Sequence, residues 1–483
     1  MAYISKYTVP VSGTATTYDF KDASLREDIS DLQAFIGYDD DRIIGLQADF
    51  VNNTYTRLSA ARGKSAGSDF NVFNMYGGRR LCNLADDGTV NAWYGDNNYI
   101  EDGSNGQVMV YQPKFYYRVV PIELEPIGDN MGYHIRKANY YISDYMIDGF
   151  KVHPAFLDAN GNELDGIYIS SYEGSIYDVS ESKYLVYDDN DFVDGTYTSS
   201  VYLMDTTADK FSSVAGVKPA SGKTNNLTRA ATETLCKNRG TGWHSINLQI
   251  VSMEQMLMAI EMCGFNMQRL LGYGVTGANT GTGNEAAQTG ATADIGNGIG
   301  QATSTIRYTS DGVRTVETEE DMRSIRYRGV ENDYGNIHQY VDGVNVWGDR
   351  NMRGGTAYYC TDYNYTDATR TGNYAPIGFT FTYNCSFISA FGYSDICDWA
   401  FLPSEDINAN HIKPIGDTCT AVYNLNGYNI IYFGGYWHGS YSEGKIGGVD
   451  SGLFRWMLNT TAINRGAFCG GRIVYIPTAS GGE

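Results

Sequence analysis

The chain is short of proline, short of positive charge and empty of compact catalytic signatures. Its 483 residues hold 10 Pro, and 35 Lys and Arg stand against 56 Asp and Glu, a formal charge of −21. Nucleic acid and anionic membranes both recruit cationic patches, so this balance opposes either as a partner. Like charge also suits a protein held at high local density outside a cell. No run approaches the roughly 18 apolar residues of a membrane span, and no basic-then-apolar leader follows Met1, so neither a span nor a signal peptide is expected. The eight cysteines (Cys82, Cys236, Cys263, Cys360, Cys385, Cys397, Cys419, Cys469) form no C-x-x-C and no metal-ligand spacing with the six histidines. They read as small buried hydrophobes made in a reducing cytoplasm. H-E-x-x-H and G-x-S-x-G are both missing. Gly296-Asn297-Gly298-Ile299-Gly300 has no Gly-Lys-Ser/Thr behind it, which excludes a phosphate loop. Asp39-Asp40-Asp41 and Asp86-Asp87 lack the full spacing of a calcium loop and read as solvated turns. No cofactor is expected, and metal ligation stays open.

What is present is ring and glycine: 40 Tyr and 56 Gly. That usage points to extended β structure with amphipathic rings at the surface. Hydrophobic content of 42% with 19% charged residues is enough to bury a sizeable core. The expected class is α+β: β-rich and multidomain, with two helices in the large C-terminal part and an N-terminal assembly region.

Residues 1 to about 22 alternate like a strand. Ser24-Leu25-Arg26-Glu27 is a capping box, and Leu25, Ile29, Leu32 and Ile36 make a narrow seam on the helix it opens. That helix packs either on its own domain or on symmetry mates at an oligomer axis. Short strands and Asp-Gly or Asn-Gly turns fill 43–120, and Asn160-Gly161-Asn162 turns a later hairpin. Helices are predicted over Thr228–Arg239, capped by Thr228, and over Ser252–Cys263. The second is opened by Ser252 and Gln255 and carries Met253, Met256, Leu257 and Ile260 as a core stripe. The resulting division is 1–45 for attachment or oligomerisation, 46–105 as a small β-rich domain, and 106–483 as a large domain. Insertions in the last are expected at about 178–210 and 272–320.

The most informative stretch is Ile431–Pro477. It starts and ends strand-like around a Gly-, Ser- and Asn-rich middle bearing Tyr436, Trp437, His438, Tyr441, Phe454, Arg455, Trp456 and Phe468. Rings and Arg on a pliant backbone suit a recognition surface; Trp437, Phe454 and Trp456 suit a core equally well. Within this stretch Gly434-Gly435-Tyr436-Trp437, Gly452-Leu453-Phe454 and Gly470-Gly471-Arg472-Ile473-Val474-Tyr475 stand in order. Upstream is Arg328-Gly329-Val330-Glu331-Asn332-Asp333-Tyr334-Gly335-Asn336-Ile337, followed by Val341-Asp342-Gly343. Together they resemble the C-type lectin domain of the formylglycine-generating-enzyme-like subclass, used by phages and diversity-generating retroelements as a receptor-binding tip. Arg79–Gly88, Tyr94–Asp96 and Val108–Tyr117 resemble a region that precedes that domain in structural proteins of gut-bacterial phages.

The resemblance implies a non-catalytic tail-tip adhesin carried on the virion, usually trimeric, joined to other tail proteins and directed at a bacterial surface protein or glycan. It implies a variable region over 433–470, with contacts expected from Tyr436, His438, Ser440, Tyr441, Arg455, Trp456, Asn459 and Asn464. Glu331, Asn332 and Asn336 are expected to brace loops by bonding buried backbone groups. The last strand, near Arg472 to Ile476, is expected to pair near Phe115 to Val119. Formylglycine-generating enzymes use a C-terminal cysteine pair; only Cys469 lies in the last stretch here, which argues against oxidase chemistry. Two alternatives remain. One is a glycan depolymerase, for which Glu331, Asp342, Asp395 and Asp398 are the carboxylates to check. The other is a purely structural tail component with its C-terminal rings buried against a neighbour.

Overall fold

A computed structural model describes residues 6–11, 14–19, 37–185, 192–193, 196–197, 204–222, 227–277, 286–308, 312–315, 323–384, 386–407, 415–420, 426–437 and 451–478. The chain is a β-rich α+β protein built from several sheets. The seam helix expected from Ser24, and part of the insertion expected at 178–210, lie outside the described residues.

Three larger sheets position everything else. In the first, Tyr133–Ser143 takes Tyr116–Pro126 along one edge and Ile43–Asp49 along the other, with Phe387–Tyr393 beyond. The second runs Trp243–Ser245, Ile473–Tyr475, Gly166–Ser170, Gln107–Pro113, Arg80–Leu84, Val90–Trp93. The third is centred on Gly427–Gly435, which pairs antiparallel with His338–Gly348 on one side and with Ser451–Thr460 on the other. Strand partners cross both boundaries expected at 46 and 106, since Ile43–Asp49 pairs with Tyr133–Ser143 and Arg80–Leu84 pairs with Gln107–Pro113. One apolar cluster takes in Ile44, Phe70, Leu81, Val108, Met256, Phe391, Trp456 and Val474. Residues 46–105 therefore share their core with the rest of the chain.

The last strand is one correction to the pairing expected from sequence. Ile473–Tyr475 lies between Gly166–Ser170 and Trp243–Ser245, not beside Phe115 to Val119. At Tyr116 and Tyr117 both edges of that strand are taken, by Tyr133–Ser143 on one side and Lys151–Val152 on the other.

The helix predicted at Thr228 spans Arg229–Lys237, and the Thr228 hydroxyl accepts from the Ala231 N–H as a cap should. The second helix begins earlier than predicted, at Leu248–Met262, with Asn247 as its cap and Cys263 in the left-handed conformation at its end. Ser252 is therefore interior, and its hydroxyl donates to the Trp399 carbonyl. This helix is buried on every side, not along a stripe. Its charges survive burial because each has a partner: Glu254 holds Arg79 at 2.8 Å, and Glu261 accepts from Arg328 and from the Tyr327 hydroxyl at 2.7 Å. Charges removed from water persist only when paired in this way.

The described cysteines are free, and all but the half-buried Cys263 are buried. Among the described residues no helix is long and apolar enough to cross a membrane.

Candidate recognition face at the C-terminal strands

The signature around Arg328–Ile337 is a run of tight backbone turns. Arg328, Gly329, Asn332, Gly335 and Asn336 all have positive φ, at 45°, 96°, 51°, 81° and 60°. Gly and Asn tolerate that region best, which is why they recur there. The carboxylate and amides do the bracing expected of them. Glu331 accepts from the N–H groups of Gly290 and Thr292, both at 2.8 Å, and from the Thr292 hydroxyl. Asn336 accepts from the Ala287 N–H at 2.6 Å and donates to the Ala287 carbonyl at 3.2 Å. Part of the low-complexity stretch 272–300 is thereby held in place by the turn.

The turn is bonded directly to the Gly434-Gly435-Tyr436-Trp437 segment. Gly335 N–H donates to the Gly434 carbonyl at 2.9 Å, and Trp437 N–H donates to the Asn336 carbonyl at 3.0 Å. Arg472, from the late Gly-Gly-Arg, closes the arrangement. It is fully buried, and its guanidinium donates to the carbonyls of Ser170, Glu331 and Asn332 at 2.9, 2.7 and 2.9 Å. The signature turn, the Gly434–Trp437 segment and the late Gly-Gly-Arg thus meet at one place.

Behind the turn, Glu173 is buried and accepts from the Asn336 and Asn332 amides. Burial pushes its carboxyl up to about 8, against the pull of Arg472 and those amides. The folded chain then holds a proton that the unfolded chain releases near 4.5. Where the native state binds the extra proton, stability falls as pH rises, here from about 4.5 to about 8. Asp417, pushed by burial to about 8, adds to the same slope. Glu173→Gln is expected to make thermal melts between pH 5 and 9 less pH-dependent and to raise the melting temperature at pH 9. An unchanged slope would assign the titration to other groups.

Above this scaffold lies a ring cluster. Tyr436 stacks on His338 at 5.0 Å between centroids and contacts Phe468 at 5.0 Å and Trp437 at 5.7 Å. His338 Nδ1 lies 3.2 Å from the Gly435 N–H nitrogen and 3.4 Å from the Phe433 carbonyl oxygen. Burial, with Arg455 nearby, lowers its pKa to about 3, so it is neutral. Trp437 is buried against Val275, Ala286, Ala287 and Ile337.

The eight contact candidates divide sharply. Tyr436, Asn459 and Asn464 are partly exposed; His438, Ser440 and Tyr441 lie outside the described residues. Arg455 and Trp456 are corrections, because both are buried. Arg455 donates to the carbonyls of Trp456 at 2.6 Å and Thr418 at 3.3 Å and to the Thr420 hydroxyl at 2.9 Å. Trp456 packs on Phe433 and donates from its indole to the Phe401 carbonyl at 2.8 Å. Sequence reading missed Ile463, which is 76% exposed, and its exposed neighbours Thr461 and Arg465. The available signal was one branched aliphatic residue isolated among Thr, Asn and Gly between two strands. The backbone of Arg465 and Gly466 lies against Gly222, where a Cβ would come within 2.6 Å.

The four carboxylates considered for glycan cleavage have separate partners. Glu331 serves the turn; Asp342 accepts from Ser245 at 2.9 Å; Asp398 accepts from Tyr117 and Lys151; Asp395 accepts from Tyr393. Among the described residues no group of three or more His, Cys, Asp and Glu is placed to hold a metal ion.

No protein-family model and no curated protein matches the chain. Among solved structures it is similar to one named Major Tropism Determinant U1 Variant, at 13% identity over 88% of this chain and 77% of that chain, with a TM-score of 0.25.

Proposed function

We propose that the chain is a phage tail-tip receptor-binding protein, non-catalytic, with a C-type-lectin-like C-terminal part that recognises a protein or glycan on a bacterial surface. The observation that supports it most is the way exposed side chains stand on a fixed frame. Residues 461–468 carry Ile463, Asn464 and Arg465 to the surface, yet the chain is paired on entering, where Thr460 meets Ile430, and on leaving, where Cys469 meets His338. Tyr436 sits at the edge of the same cluster, against Phe468. A rigid frame carrying ring, amide and aliphatic contacts is what affinity without large ordering cost requires.

On this reading Tyr436, Asn459, Ile463, Asn464 and Arg465 contact the receptor, joined by His438, Ser440 and Tyr441. Retroelement-driven diversification would act within 433–470, a trimer would multiply weak contacts into firm attachment, and the virion tail would be its location.

The test is binding of the purified protein to intact bacteria from a panel of gut isolates, beside a Tyr436→Ala, Ile463→Ala, Asn464→Ala variant whose fold is checked by circular dichroism. Loss of a central ring contact costs about 2 kcal/mol, roughly thirtyfold in affinity, so selective binding should fall at least that far. Equal binding by both proteins would move the site elsewhere. Binding to no strain would favour a structural tail role.

A further inference from the structure

A second candidate surface lies away from Tyr436, none of whose ring partners contributes to it. It is an open groove of about 730 Å³ between the turns at 85–91 and 102–107 and the hairpin of Ser175–Asp178 with Lys183–Tyr184. Its volume is within the range of small-ligand sites.

Three features define its chemistry. The first is a pair of rings. Tyr177 and Tyr184 are directly opposed across the hairpin, 5.1 Å between centroids and tilted by 66°, and both are half-buried. Tyr184 is fixed by close contact at its hydroxyl: a Cβ on Gly103, whose φ is +85°, would lie 2.0 Å from that oxygen. The second is balanced charge. Asp86 is held by Arg239 at 2.5 Å and by Lys210 at 2.7 Å, so both cations are already committed. Arg239 also donates to the Phe211 carbonyl and to Ser212, which locks it as wall and not as a mobile anion receptor. The third is a set of oriented amides. Asn91 donates to the Asn105 carbonyl at 2.9 Å, Asn105 donates to the Asn98 carbonyl at 2.9 Å, and Asn98 donates back to Asn91 at 3.2 Å. This closed ring fixes the amide planes of Asn91 and Asn105, both of which line the groove.

These features select a ligand class. An anion would meet a lining of two cations and two carboxylates, Asp86 and the exposed Asp102, with no net positive charge, in a protein of charge −21. An apolar ligand would strip water from the exposed amide edges and from the Asp86 ion pairs without replacing it, which disfavours it by their desolvation. A neutral ligand rich in hydroxyls, with C–H faces to lay on tyrosine rings, satisfies all three. We propose that this groove binds a short neutral oligosaccharide, independently of the receptor face around Tyr436.

The experiment uses the full chain and neutral trisaccharides as probes: maltotriose, mannotriose, triacetylchitotriose and xylotriose, followed by titration calorimetry and ligand-observed NMR. Ser104, exposed on the turn that edges the groove, is changed to Trp to fill it. Tyr177→Ala removes one ring, and Tyr177→Phe retains it. At least one probe should bind with a dissociation constant below about 1 mM. Ser104→Trp and Tyr177→Ala should each weaken it about tenfold, in line with the worth of one aromatic contact, while Tyr177→Phe stays within about twofold. The variant lacking Tyr436 and Ile463 side chains should bind the sugar normally, so failure of the receptor-face reading leaves this one standing. Saturation by no probe, unchanged binding in Ser104→Trp, or loss only in the Tyr436 variant would each overturn the proposal.

Discussion

Arg472→Ala is expected to destabilise the chain by about 4 kcal/mol or more, because it strips donors from three buried carbonyls at once. Ser170, Glu331 and Asn332 would each lose a charged donor in a place that water does not reach. A hydrogen bond to a charged group contributes about 1.5–3 kcal/mol, and an orphaned buried acceptor costs a further increment of similar order. Chemical denaturation gives the loss directly, and amide exchange locates it: protection should fall over 330–337. Arg472→Lys should recover little, since an ammonium on a flexible stem cannot replace a planar fork that serves three acceptors. A cost below about 1 kcal/mol would mean that those carbonyls find other donors, and the clamp would lose its assigned role.

Trp456→Ala is expected to cost about 3–5 kcal/mol, as large-to-small changes at closed aromatic sites do. The ring is wholly buried in the main apolar cluster, against Phe433, and its indole N–H is committed to the Phe401 carbonyl. Trp456→Phe should cost about 1–2 kcal/mol, the lost hydrogen bond and some volume. Tyr436→Ala, at a partly exposed ring, should cost much less stability and much more binding. Measuring melting temperature and bacterial binding on the same three variants separates the roles. Loss of binding at full stability in Trp456→Ala would return that residue to the receptor face.

Why Trp456 reads as a contact from sequence and stands in the core is instructive. Leu453 to Leu458 is nearly continuous in large side chains, with one Arg among them. A strand with both faces buried shows just such a run, without alternation. Ser451–Thr460 is of that kind: Gln255 of the central helix donates to the Leu453 carbonyl, and Gly427–Gly435 pairs along one edge. Arg455 gives the stretch a surface look, yet its guanidinium is spent on nearby carbonyls, an arrangement that spacing alone does not reveal. The early start of the central helix is a similar case. Ser252 and Gln255 form a capping box by local rule, while the true cap, Asn247, precedes the apolar Leu248 to Val251, which has no helical period because every side is buried. Pairing of the last strand was legible as a need and not as an address, since several β runs offered the same alternation.

The segment Arg328–Ile337 is recognisable as a signature, and its requirements are local. Positive φ favours Gly and Asn, and buried backbone groups need short polar side chains. The bracing by Glu331 and Asn336 is expected from the resemblance, and their residue types suit it without reference to distant neighbours. The groove at Tyr177 and Tyr184 is the opposite case. Its walls come from five separated segments, each unremarkable alone.

The pinning of residues 461–468 between Thr460 and Cys469 has a consequence for chain length. With both ends already brought together by sheet pairing, extra residues lengthen a closed loop and do not open a new one. Doubling such a loop costs only about 0.6 kcal/mol in closure entropy. Between Ala462 and Arg465 this protein should therefore accept insertions of several residues almost without thermodynamic consequence. That makes the segment a port through which a longer peptide could be displayed on an otherwise unaltered fold.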